Sequence, residues 1–174
     1  MNILLLHVDY IKWEPKTKAI KQAEQVEKRV YKATNALVVF SAVEKVDEKS
    51  PDAVVSNVVK EILKVYRDVK AEEIVVYPYV HLTSTPSTPS TALYVLKQVE
   101  SRLKKDGIEV KRAPFGWYKA FELKCKGHPL AELSKRIGAE EVKEEVSEAL
   151  KKEEKLKSKW FVLTPAGEMH EITI

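Results

Sequence analysis

The feature that most constrains the fold is a pair of strand–helix–strand units that share their middle strand. Ala36–Val43 and Ile74–Val80 are short runs rich in β-forming residues. Each run is followed by apolar residues at helical spacing, and the two predicted helices begin at Pro51 and Pro89, directly after a hydroxyl residue. A third strand is predicted at Ile108–Arg112. Because strands joined through a helix pair in parallel, the pattern predicts an α/β protein with parallel pairing at its centre.

The remaining segments add further elements to this unit. Met1–Asp9 and Trp117–Cys125 are predicted strands, and Pro129–Ile137 is predicted to begin another helix. Lys12–Thr34 is charge-rich with weak helical spacing, so we interpret it as a helix or a long excursion. The predicted architecture is one domain, a mixed β-sheet packed with helices.

The type of sequence changes near residue 140. Residues 1–140 contain the predicted strands and helices of the α/β domain. Residues 141–174 begin with highly charged helical sequence, and the apolar stretches Trp160–Leu163 and His170–Ile174 predict a terminal hairpin or a linker.

Composition excludes several classes of protein. The longest aliphatic run near the start, Ile3–Leu6, is too short for a membrane span, so no membrane association is expected. The single cysteine, Cys125, cannot form an internal disulfide, which favours a cytoplasmic location. The net charge of +4 is mild, so it permits contact with RNA without demanding it. We expect a single-core cytoplasmic protein.

The common cofactor and metal signatures are missing from the sequence. No glycine-rich phosphate loop or dinucleotide fingerprint is present, and the four histidines are scattered without ligand spacing. Cys125 has no CxxC partner, and we interpret it as a core residue rather than a nucleophile. We therefore expect neither a cofactor nor a metal.

The predicted strand at 117–126 places a lysine on an apolar face. Alternation puts Lys119 on the same face as Trp117 and Phe121, and Tyr118 on the other face. A buried ammonium is costly unless it is paired. Lys119 therefore either extends to water or serves a site.

Two further residues have both a structural and a functional interpretation. Glu132 falls in the first turn of the helix predicted after residue 129, where an acid complements the helix dipole or could instead pair with Lys119. His81 follows the Ile74–Val80 strand, and ligands bind where such strands end, although a lone histidine there is often a packing group.

Five sequence blocks resemble one known family, in the correct order. They are Asn2–Tyr10 (NILLLHVDY), Ser41–Asp47 (SAVEKVD), Tyr77–Leu82 (YPYVHL), Ala113–Phe121 (APFGWYKAF) and Cys125–Ser134 (CKGHPLAELS). These blocks are similar to the N-terminal editing domain of archaeal threonyl-tRNA synthetases. The resemblance implies a fold shared with D-aminoacyl-tRNA deacylases, a homodimer, and hydrolysis of L-serine wrongly attached to threonine tRNA.

The resemblance also implies the site residues. Lys119 and Glu132 are the expected catalytic side chains, assisted by the terminal 2′-hydroxyl of the tRNA. The expected substrate-binding residues are Ala42, Val43, Tyr79, Val80, His81 and Tyr118. Tyr118 and Lys119 adjoin in one strand, so both reach one pocket only near a bend or strand end.

The resemblance implies partners and leaves alternatives. The partners would be the acceptor end of tRNA(Thr) carrying serine, a second copy of the chain, and a threonyl-tRNA synthetase body in cis or in trans. No synthetase catalytic core is visible in 174 residues, so aminoacylation by this chain alone is not expected. The alternative functions are a D-aminoacyl-tRNA deacylase and a non-catalytic module for tRNA binding or dimerisation.

Overall fold

The structure is a computed structural model that describes residues 1–140, 160–163 and 169–172. The chain divides into two compact units, Met1–Val142 and Lys143–Ile174. The first unit carries all of the site residues predicted from the sequence.

One six-stranded mixed sheet and two helices build the first unit. The strands are β1 (Asn2–Lys18), β2 (Tyr31–Ala42), β3 (Glu73–Pro78), β4 (Glu109–Arg112), β5 (Trp117–Cys125) and β6 (Glu132–Arg136), and the helices are α1 (Pro51–Val69) and α2 (Pro89–Lys105). The strand order is β4-β3-β2-β1-β5, and β6 pairs with β1 beside β5. The pairs β2–β3 and β3–β4 are parallel, whereas β1 is antiparallel to its neighbours. The predicted fold class and the parallel pairing are confirmed.

Both helices begin at the predicted prolines and pack on one face of the sheet. Their buried side chains recur at helical spacing and share one apolar core with residues of β1, β2 and β3. Ile62 of α1, Leu96 of α2 and Leu37 of β2 all belong to this core. Burial of each such side chain contributes about 1.5–3 kcal/mol. Ser50 occupies the position before α1, but its hydroxyl makes no capping hydrogen bond.

The opposite face of the sheet carries aromatic residues and is strongly curved. Tyr77 of β3 and Phe121 of β5 have ring centroids 5.5 Å apart, although β2 and β1 lie between their strands in the sheet. Neighbouring strands in a flat sheet are about 4.8 Å apart, so three such steps would separate these rings much further. The sheet therefore curls, and β5 lies over the end of β3.

The expectation of a helix or excursion over Lys12–Thr34 is wrong at both ends, because residues 12–18 belong to β1 and residues 31–34 to β2. β1 continues to Lys18, pairing with β2 up to Trp13 and with β5 over Val8–Lys18. The burial pattern alternates, with Ile11, Trp13 and Pro15 buried. This two-residue period is the signature of a strand, and partners on both edges outweigh the weak helical spacing of the later alanines and valines.

The helix predicted at Pro129–Ile137 is also wrong. The segment forms β6, which pairs with the first residues of β1 and places Glu132 opposite Leu6. Ala131 and Ile137 are buried and the residues between them alternate, which fits a strand on the open edge of β1. Glu132 is therefore not in the first turn of a helix.

The second unit contains an antiparallel hairpin, β7 (Trp160–Leu163) with β8 (Met169–Ile172). Of the two alternatives expected at the end of the chain, a hairpin or a linker, these two strands form the hairpin. The charged helix predicted before it lies outside the described residues. Within the part of the chain that the structure describes, neither helix is long and apolar enough to cross a membrane.

Candidate functional site

A cavity of about 480 Å³ opens where β2 and β3 end and β5 begins. This is the carboxyl edge of the parallel strands, where α/β sheets place their ligands. Seven of the eight predicted site residues line it: Ala42, Val43, Tyr79, Val80, His81, Tyr118 and Lys119. The start of α2 and the segment after β1 complete the wall through Pro89, Ala92, Ala19 and Ile20.

Lys119 extends from the concave face of β5 into this cavity. Its Nζ donates hydrogen bonds to the carbonyl oxygens of Pro114 and Trp117, at 3.2 and 3.0 Å. The same nitrogen lies 5.0 Å from the centre of the Tyr77 ring, in a cation–π contact. Burial lowers the pKa of Lys119 from 10.5 to about 8, and the charge of Glu24 opposes that shift.

The Lys119 amine has one position left for a ligand. An ammonium has three N–H donors, and the two carbonyl oxygens of Pro114 and Trp117 use two of them. With a pKa of about 8, the amine is mostly charged at neutral pH. The third N–H is then a charged donor for a group bound in the cavity.

Tyr118 and Lys119 both line the cavity although they adjoin in a strand. The pairing of β1 with β5 is irregular between Pro15, opposite Lys119, and Thr17, opposite Tyr118. Such an irregularity re-aims side chains and increases local twist. Tyr118 is 65% exposed and lies at the rim, whereas Lys119 lies deeper. The expected bend is present at the start of β5.

His81 and Tyr79 form another part of the rim. A short 3₁₀ turn, Val80–Leu82, follows β3, and the Tyr79 amide donates to the Ser41 carbonyl at 2.8 Å. The rings of Tyr79 and His81 meet edge to face with centroids 5.2 Å apart. His81 is exposed and available to a ligand.

Glu132 lies outside the cavity. It is exposed on β6, opposite Leu6 of β1, whereas Lys119 is opposite Pro15. Those two positions on β1 are nine residues apart, about 30 Å in an extended chain. The structure therefore does not bring Glu132 and Lys119 of one chain together.

Sequence reasoning missed the residues that support Lys119. Glu24 accepts two hydrogen bonds from the Arg112 guanidinium and a third from the Phe115 amide at 2.8 Å, and its backbone carbonyl accepts from the Trp117 indole at 2.8 Å. These bonds tie the segment after β1 to the start of β5. Glu24 stands in a charge-rich stretch that resembles a solvated surface, so no pattern marked it.

Comparison with known proteins identifies the family. Residues 1–137 match the family described as the Archaea-specific editing domain of threonyl-tRNA synthetase. The chain belongs to that family.

Curated relatives of this editing domain are threonine–tRNA ligases. Those of Thermococcus sibiricus and Pyrococcus furiosus are each 52% identical to it over 176 residues, and that of Methanothrix thermoacetophila is 52% identical over 173. The matches cover 97–99% of this chain but only 27–28% of each ligase. The chain thus corresponds to little more than a quarter of these relatives.

A solved structure shares the fold of the editing domain. The c-Myc DNA unwinding element binding protein superposes with a TM-score of 0.58, over 78% of this chain and 98% of its own, at 12% sequence identity. At that identity the likeness concerns the fold alone.

Proposed function

We propose that this editing domain hydrolyses the ester of L-seryl-tRNA(Thr). The observation that carries the proposal is the cavity in which Lys119 presents a charged donor beside an apolar wall. Family membership supports a role in editing, and a volume of about 480 Å³ suits an amino acid with part of the terminal adenosine.

The proposed reaction is attack of water on the aminoacyl ester. The ester carbonyl gains negative charge as water adds, and the Lys119 ammonium stabilises that charge through its third N–H. We propose that the terminal 2′-hydroxyl of the tRNA accepts a proton from the water while it passes its own proton to the departing ribose oxygen. The bond between the carbonyl carbon and that oxygen then breaks, and serine and uncharged tRNA are released. His81 and Tyr118 at the rim hold the nucleotide.

Selectivity for serine follows from the size of the inner wall. Serine lacks one methyl group of threonine, and a synthetase pocket gains only about 1–3 kcal/mol from that methyl. Ala42 and Val43 are buried beside the cavity, at 3% and 4% exposure, and Ala92 of α2 lines the same cavity. We propose that this packed wall leaves no room for the methyl group of threonine.

A comparison of three substrates tests the function. Purified chain should hydrolyse L-seryl-tRNA(Thr) at least about 100-fold faster than L-threonyl-tRNA(Thr), because the wall excludes the extra methyl. A D-aminoacyl-tRNA measured beside them separates the deacylase alternative. Faster hydrolysis of the D-ester would replace the proposal, and binding of tRNA without any hydrolysis would indicate the non-catalytic module.

We also propose that the editing domain works as a homodimer attached to a synthetase body, in cis or in trans. The outer edge of β5 has no strand partner among the described residues, and Leu130 in the loop after β5 is exposed. An unpaired strand edge favours self-association. If Glu132 takes part in the reaction, its distance from Lys119 requires it to act from a second copy.

Mixing two inactive variants tests this arrangement. Lys119→Met and Glu132→Gln, each inactive alone, should recover about a quarter of wild-type activity after unfolding and refolding together, because half of the random dimers then contain one intact site. Mixing Lys119→Met with itself is the control. A dimer in sedimentation analysis without recovery would show that Glu132 does not act across the interface.

A further inference from the structure

We propose that Glu24 is the positioning residue of this site: its carboxylate fixes the Pro114–Phe115 peptide group, and that peptide group in turn holds the Lys119 ammonium. The inference rests on the proposed role of Lys119 in the cavity. Family resemblance did not indicate Glu24, which lies in the segment between β1 and β2.

One peptide group joins the carboxylate to the amine. The Phe115 amide donates to Glu24 Oε2 at 2.8 Å, and the carbonyl of the same peptide group, that of Pro114, accepts from Lys119 Nζ at 3.2 Å. The carboxylate polarises the peptide, so the carbonyl oxygen becomes a stronger acceptor for the ammonium. A negative group thereby acts on Lys119 without touching it.

A second connection runs through Trp117. The Glu24 carbonyl accepts from the Trp117 indole at 2.8 Å, and the Trp117 carbonyl accepts from Lys119 Nζ at 3.0 Å. Glu24 thus orients both of the residues whose carbonyls hold the amine. Its side chain is only 17% exposed, so water screens its charge weakly.

Arg112 keeps the Glu24 carboxylate charged and in place. Its guanidinium bonds both Glu24 oxygens, one of them at 2.8 Å, and its Nε donates to Glu100 at 2.6 Å. Burial acts to raise the pKa of Glu24, but its hydrogen bonds from Arg112 and from the Phe115 amide outweigh burial and lower that pKa. Glu100 contacts the same arginine but not the Pro114–Phe115 peptide, which makes it a matched control.

Several other titratable groups surround Lys119. Those that line its cavity are Tyr77, Tyr79, His81 and Tyr118, whereas Glu24 lies behind the Pro114–Phe115 peptide group. Behind Glu24 lie Arg112, Glu100 and Lys97. Glu24 is the carboxylate that raises the pKa of Lys119, in opposition to burial.

The test measures the pKa of Lys119 directly, by heteronuclear NMR of the lysine Cε groups, with Lys119→Met to assign the signal. In Glu24→Gln the pKa of Lys119 should fall by about half a unit, about threefold in the protonation constant, because a nearby negative charge is lost. Glu100→Gln should change it much less. An unchanged Lys119 pKa in folded Glu24→Gln overturns the inference.

Activity provides a second and separable reading. Relative to wild type, the deacylation rate of Glu24→Gln should fall more at pH 8 than at pH 6.5. With its lowered pKa, the Lys119 amine of the variant has already lost much of its charge at pH 8, whereas at pH 6.5 it is charged in both proteins. A merely structural role predicts the same fractional loss at both pH values. If the Lys119 pKa shifts as expected and the wild type hydrolyses no ester, the proposed function fails and the role of Glu24 stands.

An NMR titration of the wild-type chain tests the same inference even if the Glu24 variant does not fold. The Phe115 amide resonance should titrate with the same midpoint as Lys119, since both ends of one peptide group are involved. That titration should vanish in Lys119→Met. If the chemical shift of the Phe115 amide does not change as Lys119 titrates, the inference is wrong.

Discussion

Lys119→Met is expected to lower the rate of L-seryl-tRNA(Thr) deacylation about 100-fold or more, because loss of one preorganised donor to a developing oxyanion costs that much. Methionine is similar in length and packs against aromatic rings, so it replaces the contact of the lysine with Tyr77. Single-turnover hydrolysis of the charged tRNA measures the effect. Wild-type rates in the folded variant would remove Lys119 from the mechanism.

Lys124→Met is the matched control for this substitution. Lys124 lies on the same strand but faces outward, 68% exposed, and pairs with Asp9 at 3.2 Å. An exposed pair of this kind contributes little to stability. The Lys124→Met variant should keep the deacylation rate within about twofold of wild type, because surface substitutions away from a site are nearly neutral.

The thermal stabilities of wild type and Lys119→Met report on the charge of Lys119. Because the pKa of Lys119 in the folded chain, about 8, lies below its ordinary value of 10.5, folding disfavours the ammonium. The unfolded state then binds more protons between these pH values, so the stability of the wild type rises with pH across that window. Lys119→Met should therefore have a Tm at least equal to wild type at pH 7, and its advantage should shrink above pH 8.

The centre of the fold was predictable because its elements have clear local signals. β2, α1, β3 and α2 have either dense β-formers or a proline start with helical spacing, and all four were confirmed. Lys12–Lys18 and the β6 segment were not recognised as strands, because their residues are polar and their pairing partner is distant in the chain. Tertiary pairing decided these segments, as it does for any strand of weak propensity.

The position of Lys119 in the candidate site was predictable, because it follows from the alternation of side chains along a strand. The Glu24–Arg112 ion pair that supports it was not predictable. Alternation alone placed Lys119 on the buried face of β5, and the structure agrees. Glu24 and Arg112 are 88 residues apart in sequence, and nothing local distinguishes either from the surface charges around it. The expected closeness of Glu132 depended on a helix that does not form.

The second large effect concerns Gly116, which lines the cavity directly before β5 begins. Its φ of +77° is a conformation that other residues adopt only with strain. A Cβ placed there would lie 2.8 Å from Cγ1 of Ile20 and 2.9 Å from Cα of Ala23. Those atoms belong to the segment after β1 that carries Glu24, and the Ala19 amide bonds the Gly116 carbonyl at 2.8 Å. Any side chain at Gly116 therefore pushes that segment away.

Gly116→Ala should cost about 3 kcal/mol of unfolding free energy, the sum of about 1–2 for the positive φ and about 1–3 for overpacking. Gly107→Ala is a closely matched control, because its φ is +75° and a Cβ there meets nothing within 4 Å. Gly107→Ala should lose only the free energy due to the positive φ. The difference in unfolding free energy between the two variants therefore measures how tightly the segment after β1 packs at Gly116. Denaturant unfolding of both variants gives the free energies.

The two glycine variants should also differ in deacylation. Gly116→Ala displaces Ile20 and, through Glu24, the peptide group that holds Lys119, so its rate should fall even at temperatures where it is fully folded. Gly107 lies at the far end of α2 and its variant should deacylate at the wild-type rate. Equal rates in both variants would mean that the segment after β1 only covers the cavity, and that the amine keeps its position without it.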